Sequence, residues 1–340
     1  MISVENAIKL IEKEITTLKE ITVSISKALG CVLAEDIYSP IDMPPFRQSS
    51  MDGYAFIHSE KNRDFKIINE VQAGMAGNIT LGSDEAVRIF TGARVPDRAD
   101  TVVMQEHTKR NGETLTITKN PNRTQNIRPV GEQLKKNSIA LKKGTVLNEA
   151  ALGFLAGLGI ERVKVYQKPK VSLLLTGNEL QQPGKPLSEG QVYDSTSTTL
   201  TLALQRFGIT NVTIAFIEDT KKATEKTIKE QLLKCDVLLI SGGISVGDYD
   251  FVKGALKVNG VQEHFYKVNQ KPGKPLWFGS THTTKVFALP GNPASSLTCF
   301  YVYVAPAIRK IMGYNKAHLK RGDKLLQHQL LKTHLGKHCF

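Results

Sequence analysis

Three short stretches of this sequence place glycine, hydroxyl and carboxylate side chains directly after runs of aliphatic residues. They are TGNE at 176–179, SGGIS at 241–245 and PGNP at 290–293. Each run is typical of a buried strand, so each stretch is expected to lie where a strand ends. Glycines there let backbone N–H groups approach an anion. One Gly-Gly turn is more often only a tight connection, but three on one sheet edge predict an anion-binding site.

Carboxylates follow the same predicted strand ends: Glu179, Asp219, Asp248 and Asp250. A carboxylate beside a phosphate repels it unless a divalent cation lies between them, and Mg²⁺ is the usual ion. The alternative is that the acids only aid solubility, and for Asp248 the two interpretations are evenly balanced.

A short basic turn, KPGKP at 271–275, places Lys271 and Lys274 three residues apart between two prolines. A rigid turn with two ammonium groups suits an oxyanion, although it could also be an exposed turn without a ligand. The sequence has no Ser/His/Asp hydrolase signature, no GxxxxGKT phosphate loop and no HExxH motif.

The elements that position these residues alternate regularly after Lys170. Strands are predicted at 171–177, 211–217, 237–243 and 285–291, and helices at 196–207, 222–234, 251–258 and 294–312. This alternation predicts right-handed βαβ units and a doubly wound, mostly parallel sheet covered on both faces. Ligands of such sheets bind outside the carboxyl ends of the strands, where the glycine turns fall.

The fold class predicted for the whole chain is therefore a multidomain α/β protein. Short alternating strands predict an inserted all-β module at 44–127, bounded by the two prolines of DMPPF. Residues 1–43, with a helical stripe over 4–20, and 128–168 form a small α/β linker domain, and 169–313 form the central domain.

The composition gives broader limits. The chain has 340 residues, 41% of them hydrophobic, and a net charge of +13. The charge favours an anionic partner, and a phosphorylated small molecule is preferred over nucleic acid because no run of five basic residues occurs. No membrane span or secretory signal is recognised, so a cytoplasmic protein is expected. The four cysteines are scattered and are expected to be reduced thiols.

Six motifs carry a resemblance to a known family. They are PPFRQSSMDGYA (44–55), RIFTGARVPDRADTVVMQE (88–106), TGNEL (176–180), SGGISVGDYD (241–250), KPGKP (271–275) and LPGNPASS (289–296). The motifs occur in the same order as in the molybdopterin molybdenumtransferases of the MoeA type, which include the E domain of gephyrin, and through them the chain resembles this family. SGGIS alone also resembles the related molybdopterin adenylyltransferases.

The resemblance implies a homodimer that inserts molybdate into adenylylated molybdopterin and releases AMP with the help of Mg²⁺. It makes 169–313 a molybdopterin-binding domain. A molybdopterin adenylyltransferase and molybdoenzyme-maturation proteins are implied partners, and nucleic acid and membranes are not. Asp52 and Thr91, on the β module, are expected to meet the central domain of the other protomer.

The matching positions fall into three groups by implied role. The implied catalytic residues are Asp52, Thr91, Glu179, Asp219, Asp250, Lys271 and Lys274. Of these, the implied metal ligands are Glu179, Asp219 and Asp250. The implied binding positions are Thr176, Gly177, Ser241, Gly242, Gly243, Ser245, Pro290, Gly291, Asn292 and Pro293.

The chain departs from the family pattern at three positions and at its end. Asn178 and Gln133 stand where the family usually has acids, and Thr196 stands where it usually has Asn. The family's C-terminal β-barrel needs more residues than 314–340, which are expected to be a remnant of it. These departures leave open a scaffold that binds molybdopterin without turnover. An adenylyltransferase acting one step earlier is a weaker alternative.

Overall fold

The structure is a computed structural model that describes residues 1–75, 79–244 and 251–318, and the backbone of 338–339. It divides into two compact units. The α/β unit comprises Met1–Glu35, Lys143–Gly153 and Glu161–Phe340, and the β unit comprises Asp36–Lys142 and Phe154–Ile160. Within the described residues, no helix has the length and apolar character needed to cross a membrane.

The helices are short and number seven in the described part of the chain. They are α1 Val4–Glu14, α2 Glu149–Gly157, α3 Thr196–Gln205, α4 Lys221–Leu232, α5 Val252–Val258, α6 Pro293–Cys299 and α7 Ala305–Ile311. A π-helical segment, Phe300–Val304, joins α6 to α7, and 3-10 turns occur at Ile25–Lys27 and Gln105–His107.

The strands follow in chain order. The first half of the chain contains β1 Glu20–Ser24, β2 Ile37–Tyr38, β3 Gln48–Ser49, β4 Gly53–Phe56, β5 Asp64–Val71, β6 Glu85–Ile89, β7 Thr101–Met104, β8 Thr108–Asn111, β9 Thr114–Ile117, β10 Ile127–Arg128, β11 Ile139–Leu141 and β12 Arg162–Tyr166. The second half contains β13 Val171–Thr176, β14 Leu180–Gln181, β15 Val192–Tyr193, β16 Val212–Ile217, β17 Val237–Ser241, β18 Gln262–Tyr266, β19 Gln270–Lys271, β20 Trp277–Ser280, β21 Lys285–Leu289 and β22 His338–Cys339.

The α/β unit is built around a six-stranded sheet with the order β16-β13-β17-β21-β20-β18. The first four strands are parallel, whereas β20 is antiparallel to both β21 and β18. The predicted mostly parallel sheet is therefore confirmed. The antiparallel edge was not predicted. No helix separates β18 from β20, so the chain returns antiparallel there instead of forming another βαβ unit.

Both faces of this sheet are covered, as a doubly wound arrangement requires. Leu173 and Leu175 of β13 belong to one hydrophobic core, which also contains residues of α1, α3 and α7. Leu174, between them, belongs to a second core with residues of α4 and α5. Since successive strand residues point to opposite faces, all six residues of β13 are buried.

Two predicted helices differ from the observed ones. The first ends at Glu14 rather than near residue 20, because the chain turns extended at Ile15 and β1 then pairs antiparallel with β12. The last predicted helix, 294–312, contains the π-helical segment at Phe300–Val304. Pro306, which lies just after this segment, has no N–H to donate, so a regular α-helical ladder cannot pass through it.

The β unit contains a second six-stranded sheet with the order β7-β4-β6-β5-β9-β8. Its strands lie in the region predicted to be an all-β module. Only β5 and β6 are parallel; the other neighbours are antiparallel. Tyr54 and Phe56 of β4 lie in one core and Ala55 in another, so the central strand is covered on both faces.

Candidate active site

A cavity of about 500 Å³ lies at the carboxyl ends of the parallel strands in the α/β unit. The three glycine-containing strand ends of β13, β17 and β21 all contribute to it. Its lining comprises Leu175, Thr176, Gly177, Glu179, Leu180, Thr196, Asp219, Ser241, Gly242, Gly243, Ile244, Pro275, Pro290, Gly291, Asn292 and Ser295. The stretches predicted to share one sheet edge therefore lie together.

The turn after β17 brings its backbone unusually close to β13. Gly242 has φ +91°, which is the left-handed region that favours glycine. A Cβ at this position would lie 2.6 Å from Thr176 Oγ1 and 2.9 Å from the carbonyl oxygen of Thr176. Only glycine fits there, and the absence of a side chain lets the turn pack directly against Thr176.

Two carboxylates of neighbouring strand ends border the same cavity. Glu179 follows β13 and is exposed, and Asp219 follows β16 and is half-buried. Two oxygen donors of this kind fit Mg²⁺, which typically takes one or two protein carboxylates and completes its shell with substrate phosphates and water. Among the described residues no group of three acidic, histidine or cysteine side chains could hold a metal. Asp250, the third predicted ligand, and Asp248 lie outside the described residues.

Asn178, one of the departures from the family pattern, contacts Asp219 directly. Its backbone N–H donates to Asp219 Oδ2 at 3.2 Å, and its side-chain Oδ1 accepts from the Asp219 backbone N–H at 3.3 Å. The amide therefore ties the ends of β13 and β16 together without adding a second negative charge beside Asp219. The residue supports the carboxylate even though it is not itself an acid.

The helices that border the cavity begin with capping side chains. Asn292 accepts a hydrogen bond from the Ser295 N–H at 3.1 Å, and Pro293 occupies the first turn of α6. Asp194 accepts from the Ser197 N–H at 3.0 Å at the start of α3. Thr196, the second departure, is buried and lines the cavity.

The basic turn reaches the cavity through its last residue. Pro275 is part of the lining, whereas Lys271 and Lys274 are exposed and are not among the lining residues. Gly273, between them, is buried. The turn connects β19 to β20. Its centre at Gly273 is packed against the protein, whereas its two lysine side chains are exposed.

Asp52 and Thr91 form a separate pair in the β unit. Asp52 Oδ1 accepts from the Thr91 backbone N–H at 2.7 Å and from its hydroxyl at 2.9 Å. These two bonds, the backbone one first, lower the pKa of the Asp52 carboxyl below its ordinary value of 3.8, and Arg88 adds a smaller effect in the same direction. Asp52 is therefore ionised at neutral pH.

Arg88 was not singled out in the sequence although it lies within a quoted motif. Its guanidinium carbon lies 5.0 Å from the centroid of the Tyr54 ring and 4.9 Å from that of Phe90. It also donates to the Gly53 carbonyl at 3.2 Å and to Gln105 Oε1 at 2.6 Å. The rings and acceptors fix a cation beside Asp52. The sequence around Arg88 carries little signal for this, because its neighbours are Val87 and Ile89 and Tyr54 lies on another strand.

The other predicted positions are distributed as follows. Gln133, the third departure, is exposed in the β unit. Ser245 lies outside the described residues, and so do the side chains of most of the predicted C-terminal remnant, 314–340. Five cavity residues had no predicted role, and all of them lie in or next to the six motifs: Leu175, Leu180, Ile244, Pro275 and Ser295.

Comparison with family models accounts for most of the chain. A model described as MoeA N-terminal region (domain I and II) matches residues 2–159. A second, described as Probable molybdopterin binding domain, matches residues 172–310, which contain the cavity.

Individual proteins give the same result. The molybdopterin molybdenumtransferase of Haemophilus influenzae is 39% identical over 293 residues, which are 85% of this chain and 72% of that protein. Its counterpart in Staphylococcus epidermidis is 35% identical over 92% of this chain and 76% of that protein. A crystal structure of a molybdopterin biosynthesis MoeA protein from Pyrococcus horikoshii superposes with a TM-score of 0.77 at 32% identity, covering 92% of this chain and 81% of that one.

Proposed function

This chain belongs to the molybdopterin molybdenumtransferase family, and from that premise we propose that it inserts molybdenum from molybdate into adenylylated molybdopterin during molybdenum cofactor biosynthesis. AMP is the leaving product, and Mg²⁺ assists its release. The proposal includes a cytoplasmic homodimer, as the family resemblance implies.

The observation that carries the proposal is the shared cavity at the strand ends. Three glycine turns and two carboxylates from four parallel strands border one space of about 500 Å³. That volume suits a ligand of the size of a nucleotide or pterin. The Gly242 N–H donates to the Leu289 carbonyl at 3.2 Å, so it is the N–H of Gly243, next in the turn, that is suited to a phosphate oxygen. The acids are suited to a cation on the same phosphates.

In this proposal Glu179 and Asp219 would hold Mg²⁺, and the ion would neutralise charge on the substrate phosphates. The turn that contains Gly242 and Gly243 binds the pterin phosphate. Lys271 and Lys274 hold molybdate or the departing AMP phosphate, where positive charge stabilises the transition state. Asn178 keeps Asp219 in place through its two hydrogen bonds.

The experiment is single-turnover AMP release from adenylylated molybdopterin, with and without Mg²⁺ and molybdate. We expect release to require both ions and to fall about 10²-fold in Asp219→Asn, because the variant loses a charge from the metal site. Glu218→Gln is the matched control, since Glu218 is the exposed neighbour of Asp219 and does not line the cavity. Release that is independent of Mg²⁺, or no release at all from the unmodified chain, would contradict the proposal. Tight binding without release would favour the scaffold alternative.

The contribution of Asp52 is proposed to come from the partner protomer. Mixing Asp52→Asn with Asp219→Asn chains tests this, because a mixed dimer then has one intact site. Random pairing should restore about a quarter of the wild-type sites. If Asp52 acted within its own chain, the mixture would be as inactive as either variant.

A further inference from the structure

The basic turn at 271–275 rests on a buried polar network that neither motif nor spacing indicated. Gln270, Cys299 and Tyr303 are 1%, 0% and 1% exposed, so their polar atoms have no access to solvent. Gln270 directly precedes Lys271, whereas Cys299 and Tyr303 belong to the helix that starts at the PGNP turn. We name these three side chains the turn base.

The side chain of Gln270 spans the turn. Its Nε2 donates to the Gly273 carbonyl at 3.0 Å and to Cys299 Sγ at 3.4 Å. The Tyr303 hydroxyl donates to Gln270 Oε1 at 2.5 Å, and so fixes the orientation of the amide. Gln270, which directly precedes Lys271, is thereby bonded to Gly273, which directly precedes Lys274.

The contact between the turn and the turn base is too close for any side chain at Gly273. This residue has φ +93°, and a Cβ would lie 2.5 Å from Gln270 Nε2 and 2.6 Å from Cys299 Sγ. The carbonyl of Lys274 also accepts backbone bonds from Val268 at 2.9 Å and Leu276 at 3.0 Å. The backbone before Lys274 and the carbonyl of Lys274 itself are thus held by hydrogen bonds.

The π-helical segment supplies Tyr303. A widened turn of this kind shifts the residues that follow it relative to the α-helical register and is frequent at functional sites. Here the segment, Phe300–Val304, contains both Tyr303, whose hydroxyl donates to Gln270, and Tyr301, whose hydroxyl lies 3.4 Å from Arg206 Nη1. The same helix that forms one wall of the cavity therefore also supports the lysine turn.

We propose that Gln270, oriented by Tyr303, is a positioning residue that fixes the backbone of the turn carrying Lys271 and Lys274, which adjoins the cavity through Pro275. The inference rests on the proposed function, because it assigns the two lysines to the reacting anions. The network acts only through the lysines: its own atoms are buried beneath the turn and do not reach the cavity lining.

Tyr303→Phe is the test, with Tyr301→Phe as the matched control in the same five residues. Loss of the Tyr303 hydroxyl leaves Gln270 Oε1 without that donor and frees the amide to reorient. We expect the amides of Val268 and Leu276, which donate to Lys274, to exchange hydrogen about tenfold faster. AMP release should fall about tenfold, while Tyr301→Phe changes neither quantity.

A double-mutant cycle with Lys274→Ala separates positioning from general stability. If Tyr303 acts through Lys274, Tyr303→Phe has little further effect on AMP release in the Lys274→Ala background. An equal fall in both backgrounds would overturn the proposal, as would unchanged hydrogen exchange in the turn. Cys299→Ala provides a milder second variant, because it removes one contact of Gln270 Nε2 and keeps the other.

The hydrogen-exchange measurement keeps this inference distinct from the proposed function. If the unmodified chain releases no AMP, the proposed function fails. Faster hydrogen exchange in Tyr303→Phe would still show that Gln270 holds the turn in place. If the unmodified chain is active and exchange rises without any loss of AMP release, the positioning role is overturned and the proposed function stands.

Discussion

The strand-end cavity of the α/β unit and the Asp52–Thr91 pair of the β unit hold their polar groups in different ways. In the cavity, backbone conformation is decisive: Gly242 allows the β17 turn to lie against Thr176. In the β unit, one exposed carboxylate is oriented by two hydrogen bonds from a single residue. The first arrangement depends on packing and the second on local polar contacts.

This difference determines what a substitution should affect. A change at the cavity turn alters the backbone of two neighbouring strands and should lower both stability and binding. A change at Asp52 leaves every core residue in place, so it should alter chemistry without altering stability. The following predictions test that contrast, beginning with the largest effect.

Gly242→Ala is expected to destabilise the α/β unit by about 2–4 kcal/mol and to abolish ligand binding. The new Cβ would clash with Thr176 and would require a left-handed backbone conformation. Gly291→Ala is the matched control for stability, because a Cβ there would meet its nearest atom at an ordinary 3.6 Å. The measurement is thermal unfolding of both variants. If Gly291→Ala lost as much stability as Gly242→Ala, the lack of space at Gly242 would not be the cause.

Asp52→Asn is expected to lower AMP release by about 10²-fold and to leave the melting temperature within about 1 °C of wild type. Thr91→Val should have a smaller effect, because it removes the hydroxyl bond but keeps the backbone N–H, which is the larger cause of the lowered Asp52 pKa. A carboxyl NMR titration of Thr91→Val should still give an Asp52 pKa below 3.8. A large fall in stability of Asp52→Asn would contradict the contrast.

Mild acid is expected to weaken the α/β unit before the β unit, by a small amount. His264 of β18 lies 2.8 Å from Ser280 Oγ and 3.6 Å from Glu14, and its burial lowers its pKa below 6.5, with Lys285 and Lys13 acting in the same direction and Glu14 opposing them. Above pH 6.5 the ring is neutral in both states. Below pH 6.5 the unfolded chain takes up a proton that the folded chain does not, so the free energy of unfolding falls until the pH passes the folded pKa.

In the β unit the sign and range differ. The pKa of the exposed Asp52 carboxyl is lowered in the folded chain, so Asp52 stays ionised between pH 7 and 5, and a stability change linked to its protonation would occur only as the pH falls below 3.8 and through the folded pKa. Between pH 7 and 5, the amides of β13 should therefore lose protection while those of β4 do not, and His264→Gln should reduce that loss. An unchanged pH dependence in His264→Gln would contradict the assignment.

Much of this arrangement was predictable from the sequence. VSLLLT and VLLIS are rich in aliphatic residues, which favours strands buried on both sides, and the glycine turns follow them directly in the sequence. The antiparallel strand β18 was missed because QEHFY mixes polar and aromatic residues and lacks the aliphatic run of the predicted strands. The end of α1 was placed too late, because the stripe of apolar residues continues after Glu14 into a segment that pairs elsewhere.

Contacts between distant residues were the least accessible. Asp52 and Thr91 are 39 positions apart, and only the family resemblance, not any pattern in the residues, placed them on one list. Gln270 and Tyr303 are 33 positions apart and lie in segments that were assigned to a turn and to a regular helix. A single buried amide and a single buried phenol produce no periodic pattern in the sequence, so their hydrogen bond is visible only in the three-dimensional structure.

The N-terminal helix of the α/β unit has a consequence for synthesis of the chain. Residues of α1 share a core with Ile308 and Ile311, and the Leu18 N–H donates to the Ile311 carbonyl at 3.0 Å. Translation at about 5–20 residues per second separates these partners by roughly 15–60 s. During that interval the apolar stripe of α1 has emerged from the ribosome without its final neighbours, whereas β4, β6 and β7 of the β unit can already pair. The inserted unit is therefore expected to fold first, and the first helix made is among the last to dock.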